Sequence, residues 1–198
     1  MRLGLFGGSF DPVHGGHVEA ALAAAEACRL DRVLVIPSGH PPHKHGGCRA
    51  DYEHRYGMVS LACKADRRLR PSRLEQPRAS GKPHYSINTV DAVIASMAHE
   101  PPLRLILGAD AFADLASWKS VRRVVASVSF VVVTRKGYEA HAGRNAPATP
   151  ERIVHCAHPA SSRLVRHRAK IGGSLADLAP PKVCAYIWEH GLYRAETV

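Results

Sequence analysis

The chain has 198 residues, 45% of them hydrophobic and 22% charged, a balance that suits one globular domain and excludes disordered and fibrous classes. No apolar run approaches the roughly 20 residues of a membrane span, and the N-terminal stretch Met1 to Phe6 runs into Gly-Gly-Ser rather than a secretory leader, so a cytoplasmic protein with no membrane partner is expected. Twenty-seven Lys and Arg against 17 Asp and Glu leave a formal charge of +10, which suggests a polyanionic partner: nucleic acid, anionic lipid or a phosphorylated small molecule.

Leu3-Gly4-Leu5-Phe6 is a short apolar run ending in Gly-Gly and predicts a buried strand. His17 to Arg29 is Ala-rich, with Val18, Ala21, Leu22 and Ala25 on one face, and predicts a helix. Arg32 to Pro37 is a second buried strand, stopped by proline. Strand, helix and strand in this spacing form a βαβ unit with parallel pairing. Ser38 to Ala50 has the composition and length of a functional loop. A helix is predicted over Tyr52 to Lys64, a strand over Leu69 to Leu74 despite Pro71, and a helix over Ser86 to His99 before Pro101-Pro102. Leu103 to Leu107 is a strand running into Gly108-Ala109-Asp110, and Ala111 to Leu115 starts a helical piece. Val128 to Val133 is a β-branched strand, 136–150 a mobile loop, and Arg152 to Cys156 a short strand. Helices at about 162–170 and 181–190 close the chain. The alternation predicts an α/β fold, a single Rossmann-like doubly wound parallel sheet with helices on both faces, in one domain over 1–198. Five cysteines at 28, 48, 63, 156 and 184 include no C-x-x-C pair and read as reduced, buried thiols.

The usual phosphate-binding strings G-x-G-x-x-G and G-x-x-x-x-G-K-[ST] do not occur. In their place, Gly7-Gly8-Ser9-Phe10-Asp11-Pro12-Val13-His14-Gly15-Gly16-His17 follows the first strand and opens the first helix. Two glycines allow close backbone approach. His14 and His17 stand at a helix start, where unpaired N–H groups and the helix dipole attract anions. The loop His40, His43, His45 and Cys48 has ligand types that suit zinc. It lacks a recognised zinc spacing, so a solvated basic loop is expected and no protein metal site.

The eleven-residue string resembles the phosphate motif of the nucleotidylyltransferase superfamily, and within it the chain looks most like the bacterial nicotinate-nucleotide adenylyltransferases. Pro41-Pro42-His43-Lys44, Arg55 with Met58, Tyr85-Ser86-Ile87-Asn88-Thr89, Gly108-Ala109-Asp110 with Trp118, Arg135-Lys136-Gly137, Ser161-Ser162-Arg163-Leu164-Val165-Arg166 and Val183 to Tyr193 resemble further segments of that family in its order. Three positions depart from it. Arg163 stands where the family usually has Thr, and Ser86 and Asn88 replace Thr and Asp.

The resemblance implies adenylyl transfer from ATP to nicotinate mononucleotide, giving deamido-NAD and pyrophosphate. His14, His17, Lys44 and Arg166 are then the catalytic residues. ATP is expected on Gly7, Gly8, Ser9, Phe10, His14, His17, Gly108, Asp110, Ser161, Ser162 and Arg166. The mononucleotide is expected on Lys44, Tyr85, Ser86, Thr89, Asp110, Trp118 and Arg135, with a C-terminal helical phosphate-binding segment at about 159–193. Magnesium would arrive with the triphosphate rather than in a protein cage. Two other readings stay open at this stage. One is a related adenylyltransferase for nicotinamide mononucleotide or phosphopantetheine. The other is a basic nucleic-acid-binding module, although the chain shows no RNP string, finger spacing or basic recognition helix.

Overall fold

Leu3, Gly4, Leu5 and Phe6 are all buried, as a strand covered on both faces requires. In the computed structural model, which describes residues 1–41, 47–97, 103–135 and 146–195, they begin β1 (Leu3–Gly8), the centre of a six-stranded sheet. The other strands are β2 (Arg32–Pro37), β3 (Leu69–Pro71), β4 (Leu103–Gly108), β5 (Val128–Arg135) and β6 (Arg152–Cys156). The order is β3-β2-β1-β4-β5-β6 and every pairing is parallel. β1 pairs with β2 from Leu3 opposite Arg32 to Gly8 opposite Pro37. At Gly4 in β1 a side chain would require its neighbours to shift. A Cβ there would lie 2.7 Å from Leu30 Cδ1 and 3.1 Å from Ile106 Cδ1.

Helices cover both faces. On one side lie α1 (Gly15–Ala27), α2 (Tyr52–Ala62), α6 (Ser162–Lys170) and α7 (Pro181–Glu189). Ala20, Ala21, Ala24 and Ala25 of α1 share a core there with Met58, Val59, Val165, Val183 and Ile187. On the other side lie α3 (Ser86–Met97), α4 (Ala109–Ala113) and α5 (Val121–Ser127). Ile87, Val90, Val93, Phe112 and Val124 pack there against Leu3, Leu5, Leu105 and Val132. Each fully buried large aliphatic or aromatic side chain contributes about 1.5–3 kcal/mol through removal from water. Among the described residues, no helix is long and apolar enough to cross a membrane.

The elements differ from the sequence reading mostly at their ends. α1 starts two residues earlier, with His14 as its N-cap. β3 stops at Pro71 because proline offers no N–H to continue a ladder, and β3 is an edge strand. α2 ends at Ala62 and passes into a 3₁₀ turn, Cys63–Ala65. α3 is described to Met97, so its predicted end at His99 lies outside the described residues. The helical piece after β4 is α4 followed by a 3₁₀ turn, Leu115–Ser117, and β5 runs on to Arg135. α5 has no counterpart among the predicted elements; it is seven residues long with one buried residue, Val124, too little for a periodic signal. Of the expected loop at 136–150, residues 136–145 lie outside the described residues. The cysteines form no disulfide, but only Cys63 and Cys156 are buried, so the expectation of five buried thiols is corrected. Burial pushes the Cys63 thiol up to about 12.

Candidate active site

The strand order places β1 between β2 and β4. Connections leave in opposite directions there, and ligands of open α/β sheets bind at the carboxyl ends of such strands. Two clefts open at that edge. The first, about 530 Å³, is lined by Gly7, Gly8, Phe10, His14, His17, Gly108, Asp110, Thr134, Cys156 and His158, among others. The second, about 420 Å³, is lined by Gly7, Gly8, Ser9, Glu75, His84, Tyr85, Ser86, Thr89, Trp118 and Lys119, among others. Gly7 and Gly8 belong to both. A Cβ on Gly7 would meet nothing within 4 Å, so its missing side chain relieves no clash and instead leaves the strand end open on the cleft side.

Local sequence explains the first cleft. His14 caps α1 and His17 is its third residue. The backbone N–H of His14 donates to His17 Nδ1 at 3.2 Å, so the neutral His17 ring carries its proton on Nε2. The two imidazoles stack with centroids 3.7 Å apart. Phe10 makes T-shaped contacts with His17 and Phe6, with ring centroids 5.0 and 5.5 Å away. Phe10 has φ of 45°, a costly backbone for a bulky residue, and its burial to 2% exposure holds it there. His158 adds a third imidazole. Its Nδ1 accepts from the Ala160 N–H at 3.2 Å, which likewise puts the proton of the neutral ring on Nε2.

The glycine-rich loop is tied down from four directions. The buried Asp11 carboxylate accepts from the backbone N–H groups of Arg49 at 2.8 Å and Ala50 at 3.1 Å, and from the Tyr193 hydroxyl at 2.9 Å. Burial first, and then the neighbouring Asp11 charge, hold the Tyr193 phenol well above its ordinary value, so it stays a donor. Arg55 is 2% exposed and donates to the carbonyls of Ala50 at 3.1 Å, Ser9 at 2.7 Å and Ser38 at 2.8 Å. Ser162 Oγ donates to the Pro12 carbonyl at 2.9 Å, and Arg166 to the Asp11 carbonyl at 2.6 Å.

The structure therefore separates the expected residues. Gly7, Gly8, Phe10, His14, His17, Gly108 and Asp110 meet at the first cleft, as expected for one ligand. Tyr85, Ser86, Thr89 and Trp118 meet at the second. Ser9, expected with the first group, lines the second, while the next residue, Phe10, returns to the first. Asp110, expected on both ligands, lines only the first among the described residues. Ser161, Ser162 and Arg166 line neither cleft. Ser161 Oγ caps α6 by accepting from the Leu164 N–H at 3.2 Å, while Ser162 and Arg166 grip loop carbonyls. Arg163 is exposed. Lys44 and its neighbours His43 and His45 lie outside the described residues, as does the side chain of Arg135. Among the described residues, no group of His, Cys, Asp or Glu is gathered to hold a metal ion.

Among the lining residues that escaped the sequence reading are His158, Glu75, His84 and Lys119. His158 follows the carboxyl end of β6, and that position was the one signal that could have found it. Glu75, which lies in no helix or strand, is buried and accepts from Thr89 Oγ1 at 2.7 Å and from the Ser38 hydroxyl. Burial raises its pKa above the ordinary carboxylate value. A carboxyl raised on folding binds more protons in the folded state. Its contribution is complete below the ordinary value and is lost as pH rises through the folded one. Glu75→Gln should remove that loss. Urea midpoints measured across the mildly acidic range should therefore fall less with rising pH in the variant, and equal slopes would refute this account. The carboxylates Asp31, Glu53, Asp66 and Asp177 are held low by arginine partners or backbone N–H groups, so they act in a more acidic window and with opposite sign.

Residues 5–168 match the cytidylyltransferase-like family model. The chain is 42% identical over 193 residues to "Probable nicotinate-nucleotide adenylyltransferase" of Solibacter usitatus, covering 98% of this chain and 100% of that one. It is 40% identical over 194 residues to the protein of the same name from Thermus thermophilus, covering 98% and 100%. Its fold is similar to that of a Plasmodium falciparum nicotinic acid mononucleotide adenylyltransferase solved with NaAD, at a TM-score of 0.74, 15% identity and 97% coverage of both chains.

Proposed function

The chain belongs to the nicotinate-nucleotide adenylyltransferases of the nucleotidyltransferase superfamily, and on that premise we propose that it joins the AMP part of ATP to nicotinate mononucleotide. The observation that carries the reading is the pair of clefts sharing Gly7 and Gly8. A transfer between two nucleotides needs two sites that meet at one edge.

In this reading the triphosphate lies in the first cleft and the mononucleotide in the second. The mononucleotide's 5′-phosphate oxygen attacks the α-phosphorus of ATP in line, a new P–O bond forms, and the bond to the β-phosphate oxygen breaks to release pyrophosphate. No protein nucleophile is needed, so the chain contributes position and charge stabilisation. The Nε2–H of His17 donates to a phosphoryl oxygen as charge grows there, and His14 and His158 offer imidazoles beside it. Lys44, a catalytic residue by the family resemblance, adds positive charge in this reading. Ser162 and Arg166 hold the loop that carries the histidines.

Asp110 is the carboxylate that the first cleft offers among its described lining residues, and this hard oxygen suits magnesium held chiefly by the triphosphate. When bound, magnesium would neutralise phosphate charge.

The test is direct. The protein with ATP, magnesium and nicotinate mononucleotide should release pyrophosphate, and nicotinamide mononucleotide and phosphopantetheine should be poorer acceptors by at least tenfold in kcat/KM. No release above background would overturn the proposed activity. Equal or better use of another acceptor would overturn the substrate.

A further inference from the structure

Glu75 follows β3 in the chain and is buried in the wall of the second cleft. It is a titratable group that the reaction above does not use. Its bonds run to two different walls. On one side, Oε1 accepts from Thr89 Oγ1, in the first turn of α3, at 2.7 Å. On the other, the carboxyl accepts from the hydroxyl of Ser38, the residue after β2. Ser38 is itself tied to the strand end between the clefts, because its N–H donates to the Gly8 carbonyl at 2.9 Å. A chain of hydrogen bonds therefore runs from Gly8 through Ser38 and Glu75 to α3. All four residues line the second cleft, and of the four only Gly8 also lines the first.

The backbone repeats the contact. The Gly39 N–H donates to the Glu75 carbonyl at 2.7 Å, and a Cβ on Gly39 would collide with that oxygen and with the Pro77 nitrogen. Burying a carboxyl costs free energy that its hydrogen bonds must offset. Apolar packing has no direction, whereas a hydrogen bond fixes both length and angle. A carboxyl held between two hydroxyls is thus a spacer of set length. Thr89 has one hydroxyl proton to give, and it goes to Glu75 rather than to a ligand.

We propose that Glu75 is a positioning residue: by spanning Ser38 and Thr89 it sets the distance between the segment after β2 and the first turn of α3, and with it the width of the second cleft for the mononucleotide. The proposal rests on the function proposed above. Binding groups need placement within about 0.5 Å, so loss of the spacer should register on the ligand of that cleft and not on the other.

Glu75→Ala should raise the KM for nicotinate mononucleotide about tenfold, with the KM for ATP within about twofold and kcat within about threefold of the parent. Glu75→Asp keeps the acid but is one methylene too short to reach both hydroxyls, so it should behave like the Ala variant. Glu75→Gln keeps the length, accepting from one hydroxyl and donating to the other, and its KM should stay within about threefold of the parent. Equal rises in both KM values would mean general loosening, and a parent-like Asp variant would mean that charge rather than reach matters; either result overturns the proposal. Thr89→Val cuts the same span at its other end and carries the comparison if the Ala variant does not fold. Added to Glu75→Ala, it should raise the KM by less than about twofold more, because residues in one hydrogen-bond network are not additive. Full additivity would also overturn the proposal.

Calorimetric titration separates this idea from the function it rests on. Nicotinate mononucleotide should bind the Ala variant about tenfold more weakly than the parent, and ATP equally well. Equal binding of the mononucleotide to both proteins overturns the positioning role even in an active enzyme. Weaker binding by the variant, with no pyrophosphate release from the parent, leaves the role standing and overturns the proposed reaction.

Discussion

His17→Ala is expected to lower kcat by about 10²- to 10³-fold, the usual loss when one donor to a developing oxyanion is removed. The expectation comes from the helix start. Nδ1 of His17 is occupied by the His14 N–H, which leaves Nε2 as the donor toward the first cleft. The same contact supplies a control. His17→Asn keeps an acceptor near the Nδ1 position and loses the Nε2–H. It should fold with a melting temperature close to that of the parent and still lose about as much kcat as the Ala variant. Steady-state kinetics with saturating ATP and mononucleotide decide the matter. A variant with near-parent kcat would remove His17 from the chemistry and leave it as a capping residue.

The second large effect concerns stability. Arg55→Met should destabilise the fold by about 3 kcal/mol, because it leaves three inward-facing carbonyls without their donor. In a chain of this size that corresponds to a fall of about 6–12 °C in melting temperature. Arg55 bonds Ser9 in the loop after β1, and Ser38 and Ala50 in the segment after β2. Losing it should therefore loosen both clefts together. Lysine carries the charge but not the planar fork, so Arg55→Lys should recover less than half of the lost stability. Calorimetry of the three proteins checks the order, and a Met variant within 2 °C of the parent (under about 1 kcal/mol at this size) would refute the bracing role.

How much of this could be read from the chain alone depended on whether the determinant was contiguous. The βαβ start and the histidine pair were legible because strand, turn and helix start fall in one short string, and a helix places its N-cap and third residue together without outside help. Trp118 and Tyr85 were assigned through family likeness, since nothing in their neighbouring residues marks a cleft wall. Ser162 and Arg166 show the opposite limit. Hydroxyl and guanidinium are phosphate donors by type, but their nearest acceptors are the carbonyls of Pro12 and Asp11, some 150 residues away in sequence. The bonds of Arg55 to Ser9 and Ser38, and those of Asp11, likewise join segments apart in sequence. The net charge could not choose among its possible polyanionic partners for a related reason. Arg2, Arg68, Arg73, Arg104, Arg123 and Arg168 are engaged with carboxylates, which a tally of residue types does not register. The exposed ones among these pairs add little stability, but together they mean that those arginines do not form one uniform basic surface.

The shared wall at Gly7 and Gly8 has a consequence for what leaves the protein. Two ligands in the two clefts each lose translational freedom on binding, whereas one molecule reaching across the wall loses it once and gains both sets of contacts. Linkage of this kind can tighten binding well beyond either half. On the proposed reaction, a site that joins two nucleotides also retains what it has joined.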